Sequence, residues 1–387
     1  MPPIDWKNKY LCLAPGAALK NLEVPFVYHI AKDELYEIDE TAAAFFLSCD
    51  GTRLGRDLTG DDEFVAYGIE EGLLTATETP APVEVAMGER ADPSLRYLEL
   101  HVTHRCNLRC AHCYIGDPGG VSDMAVDEAV GITRAFSEMG GLRLLISGGE
   151  PLMHKDLKDY LRQISTCSVR RVLFTNGTLV SPEIMVWLDV HEIQFSLDGW
   201  REGHDRLRGK GAFDKTMAGI RIARDAGMDV SLSTMIHRCN VDEFDRMAAF
   251  AEAIGAVEWG IDALCVAGSL AEHRDLLVSH EACAPLMAYG FGGGYHGASE
   301  GYACGRHLMT VMPDGRAAKC GFYMDAPVGD ARKGLRQCWE KIKHIRLSEL
   351  SCSDCRFIGE CRGGCRFRAA EPLGPDPVMC RLYGVSP

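Results

Sequence analysis

At 387 residues, 47% hydrophobic and 25% charged, the chain has ordinary globular composition, with apolar material for a large core and two or three domains. The balance of 41 Lys/Arg against 55 Asp/Glu, net −14, argues against a nucleic-acid or anionic-membrane partner, because phosphates attract Lys and Arg. No window has the about 18 uncharged apolar residues that a spanning helix needs. The start, Met1-Pro2-Pro3-Ile4-Asp5-Trp6, carries no basic-then-apolar export pattern, so the expected location is the cytoplasm. There the 17 cysteines should be reduced, which favours metal or redox chemistry over a disulfide framework.

Residues 1–90 hold seven Lys/Arg against 17 Asp/Glu, so −10 of the net −14 lies in this stretch. Residues 26–30 and 34–38 alternate like two strands around Ala31-Lys32-Asp33, a hairpin pattern. Thr41 is a candidate cap for a helix through 42–47 that stops near Gly51. Phe64, Tyr67, Ile69 and Leu73 predict a second helix with Gly72 close to its end. A hairpin followed by short helices reads as a small winged-helix-like domain over 1–90. Pro80-Ala81-Pro82 and the residues up to Pro93 read as its linker.

From residue 95, short β-rich runs alternate with helical stretches. Strands are predicted at 96–102, 142–147, 171–175, 192–197, 229–235 and 257–262, and helices near 124–139, 156–166, 182–189, 213–226 and 241–254. Six such steps imply an α/β fold with a parallel sheet, and six units fit a partial (β/α)6 TIM-type barrel better than a closed eight-unit one. Reactive groups then belong at the carboxyl ends of the strands. This core is expected over 95–265, with a bridging region at 266–303 and a cysteine-organised domain at 304–387, where eight of the 17 cysteines fall.

Directly after the first strand, Cys106-Asn107-Leu108-Arg109-Cys110-Ala111-His112-Cys113 spells C-x3-C-x2-C. Three thiolates in one short loop suit a cubane iron–sulfur cluster and leave one iron without a protein ligand. Structural zinc needs a closed four-ligand shell, and this loop has no fourth sulfur. Three core cysteines are the plain alternative, but a polar loop with Asn and Arg is not a core face.

This loop, with Tyr114 after it, resembles the signature loop of radical S-adenosylmethionine (radical SAM) enzymes. Gly148-Gly149-Glu150-Pro151 after the second strand looks like the family's segment that holds the cofactor's amino group. Thr175-Asn176-Gly177 closes the third strand. Ser196-Leu197-Asp198-Gly199 closes the fourth, with His204, Asp205 and Arg208 downstream, as in members whose serine and arginine meet the carboxylate. The resemblance implies a [4Fe–4S] cluster on Cys106, Cys110 and Cys113. It also implies S-adenosylmethionine on Tyr114, Gly148, Gly149, Glu150, Asn176, Ser196, Asp198 and Arg208. Alone, Gly148–Pro151 is only a turn before a helix; its order after the cysteine loop gives it weight.

A second constellation runs Cys304, Gly315, Cys320, Cys352-x2-Cys355-x5-Cys361-x3-Cys365 and Cys380. It resembles the SPASM extension of radical SAM maturases, which carries two auxiliary [4Fe–4S] clusters. That resemblance assigns Cys352, Cys355, Cys361 and Cys380 to one complete site and Cys304, Cys320 and Cys365 to another, for three clusters in all. Residues 311–316 read as a hairpin that brings Cys304 and Cys320 together. His307, a leftover cysteine such as Cys338, water or a substrate thiolate are the candidates for the missing ligand. A zinc ribbon on Cys352, Cys355, Cys361 and Cys365 would strand Cys304, Cys320 and Cys380.

The other seven cysteines, Cys12, Cys49, Cys167, Cys239, Cys265, Cys283 and Cys338, read as buried free thiols. His101, His104 and His112 read as ordinary hydrogen-bonding histidines. Residues 292–297 spell G-x-G-x-x-G without the strand and helix of a dinucleotide site.

The amino-terminal domain resembles the leader-peptide-recognition domain of peptide maturases, related to the D protein of pyrroloquinoline quinone biosynthesis. The resemblances together imply a radical SAM oxidoreductase that modifies a ribosomally made peptide through a 5′-deoxyadenosyl radical, forming a thioether or a carbon–carbon cross-link. The implied partners are a precursor peptide with a leader and a reducing donor such as flavodoxin or ferredoxin, with no nucleic acid and no membrane. The alternatives are a sulfatase-maturase-like enzyme, a tetrapyrrole side-chain oxidase and a non-catalytic iron–sulfur carrier, which has no need of Gly148–Pro151. The sequence identifies no catalytic acid or base.

Overall fold

The computed structural model describes residues 5–116, 123–292, 301–305 and 307–386. The glycine run at 292–297 falls outside them from residue 293 on. The chain forms two compact units that interleave in sequence. One comprises Met1–Tyr97, Thr133–Leu144 and Thr166–Arg170; the other comprises Leu98–Ile132, Leu145–Ser165 and Arg171–Pro387.

In the first unit the order is β1 (Tyr10–Leu13), β2 (Ala17–Asn21), β3 (Pro25–His29), β4 (Glu34–Glu37), α1 (Glu40–Ser48), β5 (Asp50–Leu54), α2 (Asp62–Glu70) and β6 (Leu74–Thr77). The expected hairpin is β3–β4, with Tyr28 opposite Leu35 and Phe26 opposite Glu37. The cap of α1 is Asp39, not Thr41: its Oδ1 accepts from the Ala42 N–H at 2.7 Å. Two residues before Thr41, this carboxylate satisfies one of the first free N–H groups and favours the helix dipole. The second helix ends at Glu70, where Gly72 takes φ +75° and the chain enters β6. Leu73 and Leu74, expected as helix, therefore lead into a strand. Strands β1 and β2 escaped sequence reading because nearly every residue is buried, which erases alternation.

The core of this unit joins β1, α1 and α2. Phe64 meets Phe45 and Phe46 edge-on, with ring centroids 5.6 and 5.7 Å away. The expected linker is laid along the same unit: the Ala81 N–H donates to Gly51 O, the Val83 N–H donates to Asp50 O, and Val85 and Met87 cover the core.

Later parts of the chain complete the sheet β2–β3–β4. Leu142 joins Ala18, Leu22, Phe26, Tyr28 and Ile30, and Arg143 pairs with Asp33. Arg170 Nη1 donates to Ala31 O at 2.6 Å. Lys20 is buried on β2, its ammonium donating to Gly141 O at 2.8 Å and Ser168 O at 2.5 Å. Burial pulls its pKa down to about 7 from 10.5. Between those values the unfolded chain binds the proton more tightly, so this lysine makes stability rise with pH across that window. The melting temperature is expected to climb between pH 7 and about 9, and Lys20→Met should flatten that climb. A Lys20→Met protein with the parent's pH slope would show that the dependence comes from another group.

The second sheet follows the sequence prediction closely. Its strands and helices are β7 (Tyr97–Thr103), α3 (Val126–Glu138), β8 (Arg143–Gly148), α4 (Leu157–Gln163), β9 (Arg170–Thr175), α5 (Pro182–Met185) and β10 (Glu192–Ser196). There follow α6 (Arg201–Arg208), α7 (Ala212–Asp225), β11 (Asp229–Ile236), α8 (Phe244–Ala253) and β12 (Glu258–Ala263). The strands lie in the order β12-β11-β10-β9-β8-β7. Ile193 sits between Val230 and Leu173 in parallel register, all three fully buried, as strands covered on both faces require. Beyond β7 the sheet continues into β13 (Leu308–Val311), β14 (Arg316–Ala318) and β15 (Gly329–Asp330). Because β7 pairs with β13 and not with β12, the barrel is partial and open.

The remaining helices are α9 (His280–Cys283), α10 (Leu335–Glu340), α11 (Ile358–Cys361) and α12 (Pro377–Leu382). Among the described residues no helix is long and apolar enough to cross a membrane.

Candidate active site and cysteine centres

The three-cysteine loop leaves the carboxyl end of β7. Its root is fixed by Asp123, which accepts from Thr103 Oγ1 at 2.6 Å and Arg105 Nε at 2.9 Å. The Ala111 N–H donates to Leu207 O and the Ser269 N–H to Cys113 O, each at 2.9 Å. Cys106 Sγ accepts from the Leu108 N–H at 3.5 Å and from Asn176 Nδ2 at 3.9 Å. Burial pushes the Cys106 thiol up and Cys110 to about 11; nearby sulfurs add to this, and Arg208 opposes it. Binding a cation relieves that mutual repulsion, so the donor set fits a metal cluster.

Gly148 and Gly149 carry β8 directly beneath this loop. The Gly149 N–H donates to Thr103 O and the Glu150 N–H to Arg105 O, both at 2.8 Å. A Cβ on Gly148, at φ +130°, would collide with the Thr103 carbonyl oxygen, and one on Gly149 with that of Arg105. The loop backbone itself thus demands glycine at both positions.

The Glu150 carboxylate is wholly buried. It accepts from Thr175 Oγ1 at 2.8 Å, the Asn176 N–H at 2.9 Å and the Leu152 N–H at 3.2 Å. Burial nonetheless raises its pKa to about 7. Glu150 therefore ties the end of β8 to the end of β9, while the Asn176 amide reaches Cys106 and Asn107.

At the end of β10, Ser196 is half-buried opposite Ser233. Asp198 is fully buried and ion-paired with Arg208, and its Oδ1 accepts from the Met235 N–H at 2.7 Å. Burial works against the charged form, yet Arg208 foremost, then His112 and His204, hold the carboxyl well below its ordinary value. Burial keeps His112 and His204 neutral, at about 3 and about 4. His204 Nδ1 accepts from the Asp198 N–H at 3.2 Å, so its Nε2 carries the hydrogen. That Nε2 and His112 Nδ1 are buried with no protein partner among the described residues. Unmet polar atoms beside an ion pair and three thiols fit a polar ligand such as an amino acid chelate. Sequence reading missed His112 because its partners lie far away in the chain.

Tyr114 faces the other way. Its hydroxyl donates to Glu99 Oε1 at 3.1 Å and lies 3.2 Å from His101 Nε2, and its ring meets Phe322 at 5.6 Å. Glu99, which also accepts from Thr310 Oγ1 at 2.7 Å, is held at about 2: burial would raise it, and these partners outweigh burial.

Tyr114 and Glu99 line a cavity of about 450 Å³ together with Cys304, Cys320, Cys361 and Cys365. The β13–β14 hairpin is present as expected and lies between Cys304 and Cys320 in the chain. Cys265, whose thiol donates to Ala263 O at 3.7 Å, and Cys304 are the neighbours that hold Cys365 below an ordinary thiol, and both are themselves pushed up. Cys265, read from sequence as a buried free thiol, is thus beside this set. Cys352, Cys355 and Cys361 all lie close enough to raise Cys380, after burial. Among the described residues no three His, Cys, Asp or Glu side chains converge on the geometry of a single bound ion.

Residues 100–251 match the sequence profile of the Radical SAM superfamily. The chain is 27% identical over 339 residues to an AdoMet-dependent heme synthase of Nitratidesulfovibrio vulgaris, covering 74% of this chain and 91% of that one. It is also 27% identical over 347 residues to the mycofactocin maturase MftC of Mycolicibacterium smegmatis, covering 79% and 88%. In fold it is similar to Streptococcus suis SuiB, crystallised with its precursor peptide SuiA: the TM-score is 0.70 at 14% identity, over 96% of this chain and 99% of that one. A radical SAM domain implies S-adenosylmethionine and a [4Fe–4S] cluster, and the loop of Cys106, Cys110 and Cys113 lies within the matched residues. Residues 100–251 are therefore a radical SAM domain, and the chain that carries it is an enzyme.

Proposed function

We propose that this enzyme oxidatively modifies a ribosomally synthesised precursor peptide, closing a thioether or carbon–carbon cross-link. The observation that carries this reading is a compact acidic unit with a strand edge, β4, at the end of its sheet, placed ahead of a radical SAM core. The likeness to MftC, a maturase, and the fold shared with SuiB, whose crystals hold a precursor peptide, support it.

Cys106, Cys110 and Cys113 would hold the [4Fe–4S] cluster. Gly148, Gly149, Glu150, Asn176, Ser196, Asp198, Arg208 and Tyr114 would shape the S-adenosylmethionine site, Glu150 and Asn176 by fixing strand ends and the loop. When bound, the two groups supply one-electron cleavage of the sulfonium and hydrogen-atom abstraction from substrate. The protein's share is to orient, to exclude water and to keep Asp198 charged and paired. Cys352, Cys355, Cys361 and Cys380 would hold one auxiliary cluster, and the set containing Cys304, Cys320 and Cys365 another. A low-potential donor such as flavodoxin or ferredoxin would deliver the electron.

The leader would add to β4 as an extra strand. The Ile38 N–H donates inward to Pro25 O, so by alternation the N–H groups of Leu35 and Glu37 point outward. Glu34, Glu37 and Glu71 make this edge acidic, which suits a neutral or basic leader. Glu37→Pro removes an outward donor while sparing the ladder to β3. Co-expressed with a short peptide encoded beside the gene, the variant is expected to lose about tenfold or more in peptide modification by mass spectrometry, at one or two hydrogen bonds' worth of binding. Peptide-independent S-adenosylmethionine cleavage should not change. Full modification by Glu37→Pro would remove β4 from the docking surface.

The likeness to heme synthase favours a second reading, oxidation of a tetrapyrrole side chain. A mass loss from an iron porphyrin, with the peptide untouched, would select it.

A further inference from the structure

We propose that Cys265 supplies the fourth thiolate to the site of Cys304, Cys320 and Cys365, so that a cluster there is closed by protein sulfur alone. This rests on reading that site as an auxiliary [4Fe–4S] centre. Cys265 lies two residues beyond β12 and is 7% exposed. Its thiol donates to Ala263 O at 3.7 Å, and it and Cys304 are the neighbours that hold Cys365 below an ordinary thiol. Asp262, three residues before Cys265, lines one cavity with Cys304, Cys320 and Cys365.

The fold is built to bring these distant residues together. Arg368, three residues after Cys365, is ion-paired with Asp262, three residues before Cys265. Asp376 holds Arg368 from the other side at 2.7 Å and accepts from the Cys365 N–H, also at 2.7 Å. The two segments that carry the cysteines are thereby pinned to each other.

The surroundings suit anionic sulfur. Backbone N–H groups of Arg366, Phe322 and Arg368 donate to Cys304, Cys320 and Cys365 respectively. Such N–H···S bonds stabilise thiolates that carry iron. Arg366 lines the cavity, is 3% exposed, and keeps a buried Nε–H with no protein partner among the described residues. A sulfur of a bound cluster is a natural acceptor for it.

The other candidates are weaker. His307 lines the cavity but would set an imidazole into an otherwise all-sulfur shell. Cys338 sits on α10 with its sulfur against Gly329. If Cys265 is the ligand, no iron of this cluster is open to a substrate thiol, and the centre relays electrons.

The test uses the full chain with Cys106, Cys110 and Cys113 replaced by Ala, so that only the auxiliary clusters remain. Anaerobic reconstitution should give about eight irons per chain. With 13C-cyanide added to the reduced protein, pulsed EPR should show no 13C coupling. Adding Cys265→Ala should either create that coupling or lower the iron to about four with loss of one signal. Cys265→Ser keeps the side-chain volume and should shift the g-values of one cluster while the other is unchanged. Cyanide coupling while Cys265 is intact, or an unchanged spectrum and iron content in both Cys265 variants, overturns the proposal. Zinc in place of iron in the starting protein would remove the auxiliary-cluster reading itself, and this ligand assignment with it.

Discussion

Replacing Cys106, Cys110 and Cys113 together by Ala is expected to abolish S-adenosylmethionine cleavage and to remove about four of about twelve irons per chain. The loop has no other sulfur, its backbone is already committed to Leu207 and Ser269, and Asn176 donates to the Cys106 sulfur and the Asn107 side chain. The thiols also gain from metal: burial and mutual repulsion push Cys106 and Cys110 up, and a bound cluster reverses that. The proposed auxiliary centres would use cysteines after residue 264 and should keep their iron. Reduced enzyme is incubated with S-adenosylmethionine, 5′-deoxyadenosine is read by chromatography, and iron is measured in parallel. Persistent cleavage in the variant, or stoichiometric zinc with little iron in the parent after anaerobic purification, would contradict the assignment.

Arg208→Met should have the second-largest effect, on stability and on cofactor affinity together. Arg208 is the main partner of the fully buried Asp198 carboxylate, which also accepts from the Met235 N–H and lies 4.0 Å from His112 Nε2. Stranding such a carboxylate costs about 3–5 kcal/mol. In the parent, Asp198 is depressed in the folded state, so its stabilisation is present above about pH 4 and is lost as pH falls further. In Arg208→Met the penalty should be greatest at neutral pH and shrink toward pH 4, where Asp198 takes up a proton. The double variant Asp198→Asn/Arg208→Met removes both charges and should recover most of the melting temperature. If Arg208 also grips the cofactor, the double variant will still bind S-adenosylmethionine at least about tenfold more weakly, a loss of one charge-assisted contact. Parent-like affinity in the double variant would confine Arg208 to its pairing with Asp198.

What the sequence determined by itself is whatever local spacing encodes. The six strands of the core were legible to within a residue or two because strands covered on both faces read as short apolar runs between turn residues. The loop Cys106–Cys113 was legible because its three sulfurs lie within eight residues, and the segments at Gly148, Thr175 and Ser196 because each follows its own strand. In the first unit the β3–β4 hairpin alternates and was found. Strands β1 and β2, buried along nearly their whole length, do not alternate and were not. Tertiary structure decided everything that depends on residues far apart. It set Glu150 against Thr175 and Asn176, tying the ends of two strands together. It buried Lys20 against carbonyls more than a hundred residues away and completed the small sheet with Leu142, Arg143 and Arg170. It placed Cys265 beside Cys365, a hundred residues on, through the ion pair of Asp262 and Arg368. A buried thiol and a ligand thiol have the same local sequence; only the crossover of the chain over its own sheet tells them apart.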